Sequence, residues 1–341
     1  MTIEQIKDKL KSKEYDFLRT DKNLGNNIII LTLGGSHAYG TNNEGSDLDI
    51  RGCALNSKMQ ILTNENFEQF VNNETDTTIY AFNKLVALLS NTNPNTIEML
   101  GNKPEHYFYV SPIGQELIDN AHLFLSKRAC HSFGGYANQQ LYRLNQKAAH
   151  QMSQSELEKH ILKTLEFMQT DFTKKYTPYS DDSMKLYIDK AVQEGYDTEI
   201  FMDVNLTHYP LRDYCSMWNE LQNTVRQYGK IGKRNEKAIE HGKIAKHSMH
   251  LIRLYMMCLD ILEKERIITY REDEHDLLMD IRNGKYLDSN DQPIPEFFEM
   301  VNDYEKRLDY AKKNTNLPDN PDYKKINEFV ASVNERVVKG E

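Results

Sequence analysis

Residues 34–52, GGSHAYGTNNEGSDLDIRG, hold the side chains whose types and spacing promise chemistry. A glycine-serine pair, Gly35 and Ser36, stands upstream of two carboxylates, Asp47 and Asp49, at alternating positions. Glycines let backbone N–H groups come close to an anion, and a short helix opened by Ser36 would add its free N–H groups and a hydroxyl to a phosphate cradle. On a strand, Asp47 and Asp49 point to one face while Leu48 and Ile50 point to the core. Two neighbouring like charges are costly unless a cation lies between them, and hard oxygen ligands beside a phosphate cradle suit magnesium. The chemistry to expect is metal-assisted work on a phosphate.

Stepping outward, the run 28–33 (IIILTL) is short, apolar and β-branched, and reads as a buried strand that stops at two glycines. After the run 46–51, residues 74–80 read as a further strand, followed by a helix over 81–89, a break at Asn93-Pro94 and another helix carrying Ile97, Met99 and Leu100. These make an α/β unit, a mixed sheet flanked by helices, ending near residue 125. Beyond it no convincing strand is expected. Apolar residues recur at helical spacing over 157–167, 183–193 and 211–228, with loops over 177–182 and 197–210, so the second part reads as mainly α-helical. The stretch 314–322 carries two prolines and joins a last helix read as peripheral. The 341 residues thus divide into domains 1–125 and 126–341.

Gly35-Ser36, ten intervening residues, then Asp47-Leu48-Asp49 resembles the signature of the nucleotidyltransferase superfamily that includes DNA polymerase beta. The wider wording, with His37-Ala38-Tyr39-Gly40 after the serine and Arg51 after the second aspartate, is similar to a bacterial and phage branch with a helical C-terminal half. The resemblance implies transfer of an NMP from an NTP such as ATP to a hydroxyl acceptor, with release of pyrophosphate. It implies Asp47 and Asp49 on Mg²⁺, two ions in all, with Mn²⁺ as a substitute, and Gly35 and Ser36 on the β and γ phosphates. A third carboxylate is expected on a later strand, which fits Asp76, with Glu74 of the same strand parity as its rival; it would share a metal or accept the proton. The acceptor stays open among an RNA end, a protein and a small molecule. Competing readings are a nucleotide-binding interaction module and an antitoxin-like enzyme that nucleotidylates a protein.

The strongest helical pattern spans about 235–266, where Ala245, Met249, Ile252, Met256 and Leu259 form a seam that must turn inward. About 100° around from it lie Lys243, Lys246, His250 and Arg253, a basic stripe at what would be the border of the buried face. With Arg226, Lys230, Lys233 and Arg234 upstream, this region is expected to face a triphosphate or an acceptor backbone. Lys246, His250 and Arg253, together with Arg51, are the candidate nucleotide-binding cations. The rival reading is a solvated face balanced by Glu236, Glu240 and Glu263, and Arg51 has a rival role as partner of the aspartates.

Weaker constellations include His241, His247 and His250 as metal ligands, and Arg143 with His150 in a ribonuclease-like pair. Tyr214, Trp218 and Tyr228 read as core rather than as a base-stacking platform. A net charge of -9 argues against a protein that coats nucleic acid indiscriminately, although not against a local basic groove. No run reaches the length of a membrane span, and MTIEQIKDKL has no apolar region of a signal peptide, so a cytoplasmic enzyme is expected. The four cysteines, Cys53, Cys130, Cys215 and Cys258, are far apart and read as free thiols.

Overall fold

The run Ile28–Leu33 forms strand β1, and all six of its residues are buried. The computed structural model describes the backbone of residues 1–134, 137, 154–192, 198–239, 243–289 and 293–341, and of these the side chains of all but 154–157, 227–239 and 243. Arg143, His150 and His241 lie outside the described residues. Contacts divide the chain into two compact units: Met1–Gln140 with Ser248–Tyr286 and Pro295–Glu341, and Leu141–His247 with Leu287–Ile294.

In the first unit, β1 is joined by β2 (Ile50–Ala54), β3 (Gln69–Asn72), β4 (Thr77–Ala81) and β5 (Tyr107–Val110) in the order β3-β4-β2-β1-β5. The sheet is mixed, as the sequence led us to expect: β1 runs antiparallel to β2 and β5, while β2 and β4 are parallel. Register sorts the side chains. Leu33 opposes Ile50 and Gly52 opposes Ile79, so these share one face with Leu31 and Ala54, and pack with Ile6 and Leu10 of the first helix, Ile3–Leu10. Ile30 opposes Cys53, and both point into the other cluster, which holds Phe82, Leu85, Val86 and Leu89. Those four stand at i, i+3, i+4 and i+7 of the helix Phe82–Ser90, a spacing that turns one apolar stripe onto the sheet.

The helix Lys243–Lys264 adds Leu254, Met257, Cys258, Ile261 and Leu262 to that second cluster. Its expected seam is buried, but so is every residue from 251 to 262. Over this stretch it is a central helix, enclosed on every side and carrying the charges of Arg253 and Asp260 inside, rather than an amphipathic one with a border. It is described from Lys243, and residues 240–242, which precede it in the pattern read from 235, lie outside the described residues. The last helix, Tyr323–Lys339, is not peripheral: Ile326 and Val333 are buried in the same cluster.

The second unit corrects the expectation that strands end with the α/β part. Met184–Lys190 and Thr198–Val204 form β6 and β7, paired antiparallel from Met184 opposite Val204 to Lys190 opposite Thr198. The run MKLYIDK places Met184, Leu186 and Ile188 at a period of two, and it is this alternation, not the looser helical spacing, that the chain obeys. Ile161, Leu165 and Phe172 of the helix Gln154–Lys175 pack with Met184 and with Met217 and Leu221 of Leu211–Ile239. Trp218, read as core, is 40% exposed. Among the described residues, no helix is long and apolar enough to cross a membrane, and all four cysteines are free.

Candidate active site

Strand β1 ends at Leu33, and the Gly34 N–H donates to the Asp49 carbonyl at 2.9 Å, which draws the turn onto the start of β2. Gly35 then takes φ +58°, opens the helix Gly35–Tyr39, and lies so close to Asp49 that a Cβ would stand 1.9 Å from Oδ2. A residue other than glycine fails here twice, by conformation and by collision. The helix stops at Gly40, also left-handed, with φ +77°. Its first N–H groups, those of Gly35 and Ser36, have no intrahelical acceptor. The glycine-serine turn and the carboxylate of Asp49 therefore form one piece of surface.

The alternation expected for the carboxylates holds: Asp47 is exposed, Leu48 buried, Asp49 half-buried and Ile50 buried. The strand proper begins only at Ile50, since residues 46–49 are an extended approach to it. That approach is shaped by a small turn in which Ser46 Oγ accepts from the Asn43 N–H at 2.8 Å and donates to Asn43 Oδ1 at 2.9 Å.

Asp76 differs from its expected setting. Residues 73–76 form a turn, and β4 starts at Thr77. The cause is local: Asn72 Oδ1 accepts from the N–H groups of both Glu74 and Thr75, and Asp76 takes φ +45°. Parallel pairing nevertheless delivers Asp76 to the site, for its carbonyl accepts from the Ile50 N–H at 3.2 Å. Arg51 ties the group together. Its Nη2 lies 2.9 Å from Asp49 Oδ1 and 3.4 Å from Asp76 Oδ1, and its Nη1 donates to the Asp76 carbonyl at 2.6 Å. Asp49, Arg51 and Asp76 are thus brought together, while Glu74 sits exposed in the turn.

Behind the turn lies a buried polar cluster. Tyr39, the last residue of the short helix, donates to Glu98, its hydroxyl 2.9 and 3.0 Å from the two carboxylate oxygens. Arg253 Nη1 lies 3.2 Å from Glu98 Oε2, its guanidinium carbon stands 3.6 Å above the Tyr39 ring, and its Nη2 is 3.3 Å from His250 Nδ1. Burial pushes the Glu98 carboxyl above the usual carboxylate range, against the pull of Arg253 and Tyr39. Burial likewise raises the Tyr39 hydroxyl, which stays protonated as the donor.

This cluster corrects the expectation for Arg253. Arg253 is 0% exposed, because its helix is enclosed on every side at that level. Its guanidinium meets a carboxylate and an aromatic ring instead of a phosphate. His250 is half-buried and Lys246 exposed, so the stripe's described members lie at three depths.

Two residues were not singled out from sequence. Glu98 had a readable signal, a lone acid inside the apolar run Ile97, Met99, Leu100, where a charge must find a buried partner. Arg282, which ends the helix His275–Arg282 and places Nη2 3.0 Å from Ser46 Oγ, had none.

The donor set suits a hard divalent cation. Among the described residues no three acidic, histidine or cysteine side chains gather to hold a metal by themselves. Magnesium does not require this, since it is commonly held by one or two carboxylates with phosphate oxygens completing the shell. Asp49, against a turn so close that a Cβ at Gly35 would collide with its carboxylate, fits that pattern, with the exposed Asp47 two residues before it.

A model of the RNA repair pathway DNA polymerase beta family matches residues 5–332 of the chain. No curated protein and no solved structure matches it.

The buried pair yields a stability prediction. Glu98→Gln or Arg253→Met alone leaves an uncompensated group and should cost about 3–5 kcal/mol, whereas the double variant should cost clearly less than the sum. Urea unfolding of the four proteins measures the coupling; strict additivity would show that the pair is not a unit.

Proposed function

The chain belongs to the RNA repair pathway DNA polymerase beta family, and we propose that it transfers an NMP from an NTP to a hydroxyl acceptor with release of pyrophosphate. One observation carries the reading: the glycine-serine turn and the Asp49 carboxylate meet at contact distance, which sets anion-binding N–H groups beside a cation-binding oxygen. The family's place in RNA repair supports an RNA end as the acceptor over a protein or a small molecule.

In this proposal the N–H groups of Gly35 and Ser36 take the β and γ phosphates. Asp47 and Asp49 hold Mg²⁺, or Mn²⁺, which when bound neutralises charge on the phosphates and makes an attacking hydroxyl more acidic. Arg51, paired with Asp49 and Asp76, offsets repulsion between the carboxylates and restrains both. Asp76, exposed at the mouth of the group, is placed to accept the acceptor's proton or to share a metal. Lys246, the exposed member of the basic helix, remains a candidate for contact with a polyanionic substrate, and His250 a candidate only through its nearness to Arg253.

Incubation with each labelled NTP, followed by separation of labelled RNA, protein and small molecules, tests the reading and the acceptor together. Label on protein would favour the antitoxin-like alternative. Binding of NTP with no transfer to any class would favour the interaction module.

Asp47→Asn and Asp49→Asn should each cut Mg²⁺-dependent turnover by about a hundredfold or more while the proteins stay folded, since neither side chain is core; normal turnover by both purified variants would remove the catalytic assignment. Asp76→Asn should lower kcat by roughly 10²- to 10⁴-fold with little change in NTP affinity, and Glu74→Gln should behave like the parent protein. The reverse pattern in steady-state kinetics would transfer the role to Glu74.

A further inference from the structure

The sequence offered Arg51 and cations of the helix Lys243–Lys264 for a triphosphate or an acceptor backbone, and of these Arg253 proves to be enclosed. Another cation stands at the site. Arg282 ends the helix His275–Arg282 and reaches Ser46, the residue immediately before Asp47, with Nη2 3.0 Å from the serine hydroxyl. That hydroxyl already exchanges two hydrogen bonds with Asn43, so it is a shared, neutral partner for a full positive charge. The other terminal nitrogen, Nη1, is buried and meets no acceptor among the described residues.

Three features separate the half-buried Arg282 from the buried arginines Arg253 and Arg271 of this unit. Arg253 faces Glu98, and Arg271 forms a close ion pair with Asp260. Arg282 has no carboxylate within ion-pair distance among the described residues, and its burial lowers its pKa with no acid to oppose the shift. It also lies within electrostatic reach of the glycine-serine turn: burial lowers the His37 imidazole pKa first, the Arg282 charge adds to that lowering, and a hydrogen bond to the Ser46 backbone opposes it. A half-buried guanidinium with an idle donor, beside the turn that leads into Asp47 and without a counter-charge among the described residues, matches an external oxyanion. The planar fork of arginine suits phosphate oxygens in particular.

We propose that Arg282 binds a phosphate oxyanion of the NTP and retains it in the pyrophosphate product, an assignment that rests on the nucleotidyl-transfer reading above. Together with the N–H groups of Gly35 and Ser36, Arg282 gives the site a neutralising charge drawn from a helix far downstream in the chain. The rival account is that Arg282 only pins the turn before Asp47 through Ser46.

Titration of the full chain with ATP and with inorganic pyrophosphate, in Mg²⁺ at low and high salt, decides between them. Arg282→Gln should weaken both ligands by roughly 10- to 100-fold and reduce the salt dependence of binding; Arg282→Lys, which keeps the charge without the fork, should recover part of the loss. Thermal melting checks that each variant is folded, and the lysine variant keeps the test alive should the glutamine variant fail to fold. Unchanged pyrophosphate affinity in a folded Arg282 variant overturns the proposal, as does a Ser46→Ala variant that weakens pyrophosphate as much as Arg282→Gln, because the arginine would then be a pin. A parent protein that binds neither ATP nor pyrophosphate would defeat the nucleotidyl-transfer reading itself, and this assignment with it. Parent binding with indifferent variants would defeat the assignment alone.

Discussion

Strand β1 pairs with β2 through to Leu33 opposite Ile50, and one more hydrogen bond, from the Gly34 N–H to the Asp49 carbonyl, carries the pairing past the strand ends. That extra bond forces Gly35 against the Asp49 side chain, with no room for a Cβ between them. The consequence is chemical as well as steric. Amide N–H groups that attract an anion and a carboxylate that attracts a cation become a single surface, set at the open end of a buried strand. Parallel pairing of β2 with β4 then brings Asp76 alongside, and Arg51 bridges the two acids.

Holding such a turn still requires support from behind, and the chain supplies it through Tyr39. Three contacts meet there: its hydroxyl donating to Glu98, its ring beneath Arg253, and its carbonyl accepting from the Arg271 N–H at 3.1 Å. Arg271 is in turn bound to Asp260, and Tyr270 lies so close to Gly40 that a Cβ there would stand 2.6 Å from the ring. Buried ion pairs of this kind give little net stability, but removing one partner leaves a charge with nowhere to go. The far end of the short helix is therefore fixed by groups that do not move independently.

The part of this site that could be read from sequence is the part made by neighbours in the chain. The glycine-serine turn, the spacing to the two aspartates and the alternation of Leu48 and Ile50 all depend on local geometry, and the mixed sheet with a helical remainder follows from the same patterns. What escaped was set by tertiary context. The helix containing Arg253 shows a clean seam, yet packing encloses it on all sides, so an angle of about 100° from the seam led to the core instead of a cleft. The hairpin of β6 and β7 was missed because its short apolar runs fit both periods, and only pairing across the hairpin selects one. Asp76 was placed on a strand because Thr77 to Tyr80 are β-branched or aromatic; the side chain of Asn72 instead folds the preceding residues into a turn. Arg282 has no local signature, and only the folded chain sets it beside Ser46.

In the proposed reaction the turn and the carboxylates act on an NTP so that its α-phosphoryl group, with the nucleoside attached, is what moves. The direct measurement is parallel incubation with NTP labelled at the α or at the γ phosphate, in Mg²⁺, with an RNA bearing a free end. The account predicts α label on the acceptor and γ label recovered as pyrophosphate, both lost when EDTA is present. Transfer of γ label to the acceptor, or release of γ label as free phosphate with no acceptor labelled, would contradict it.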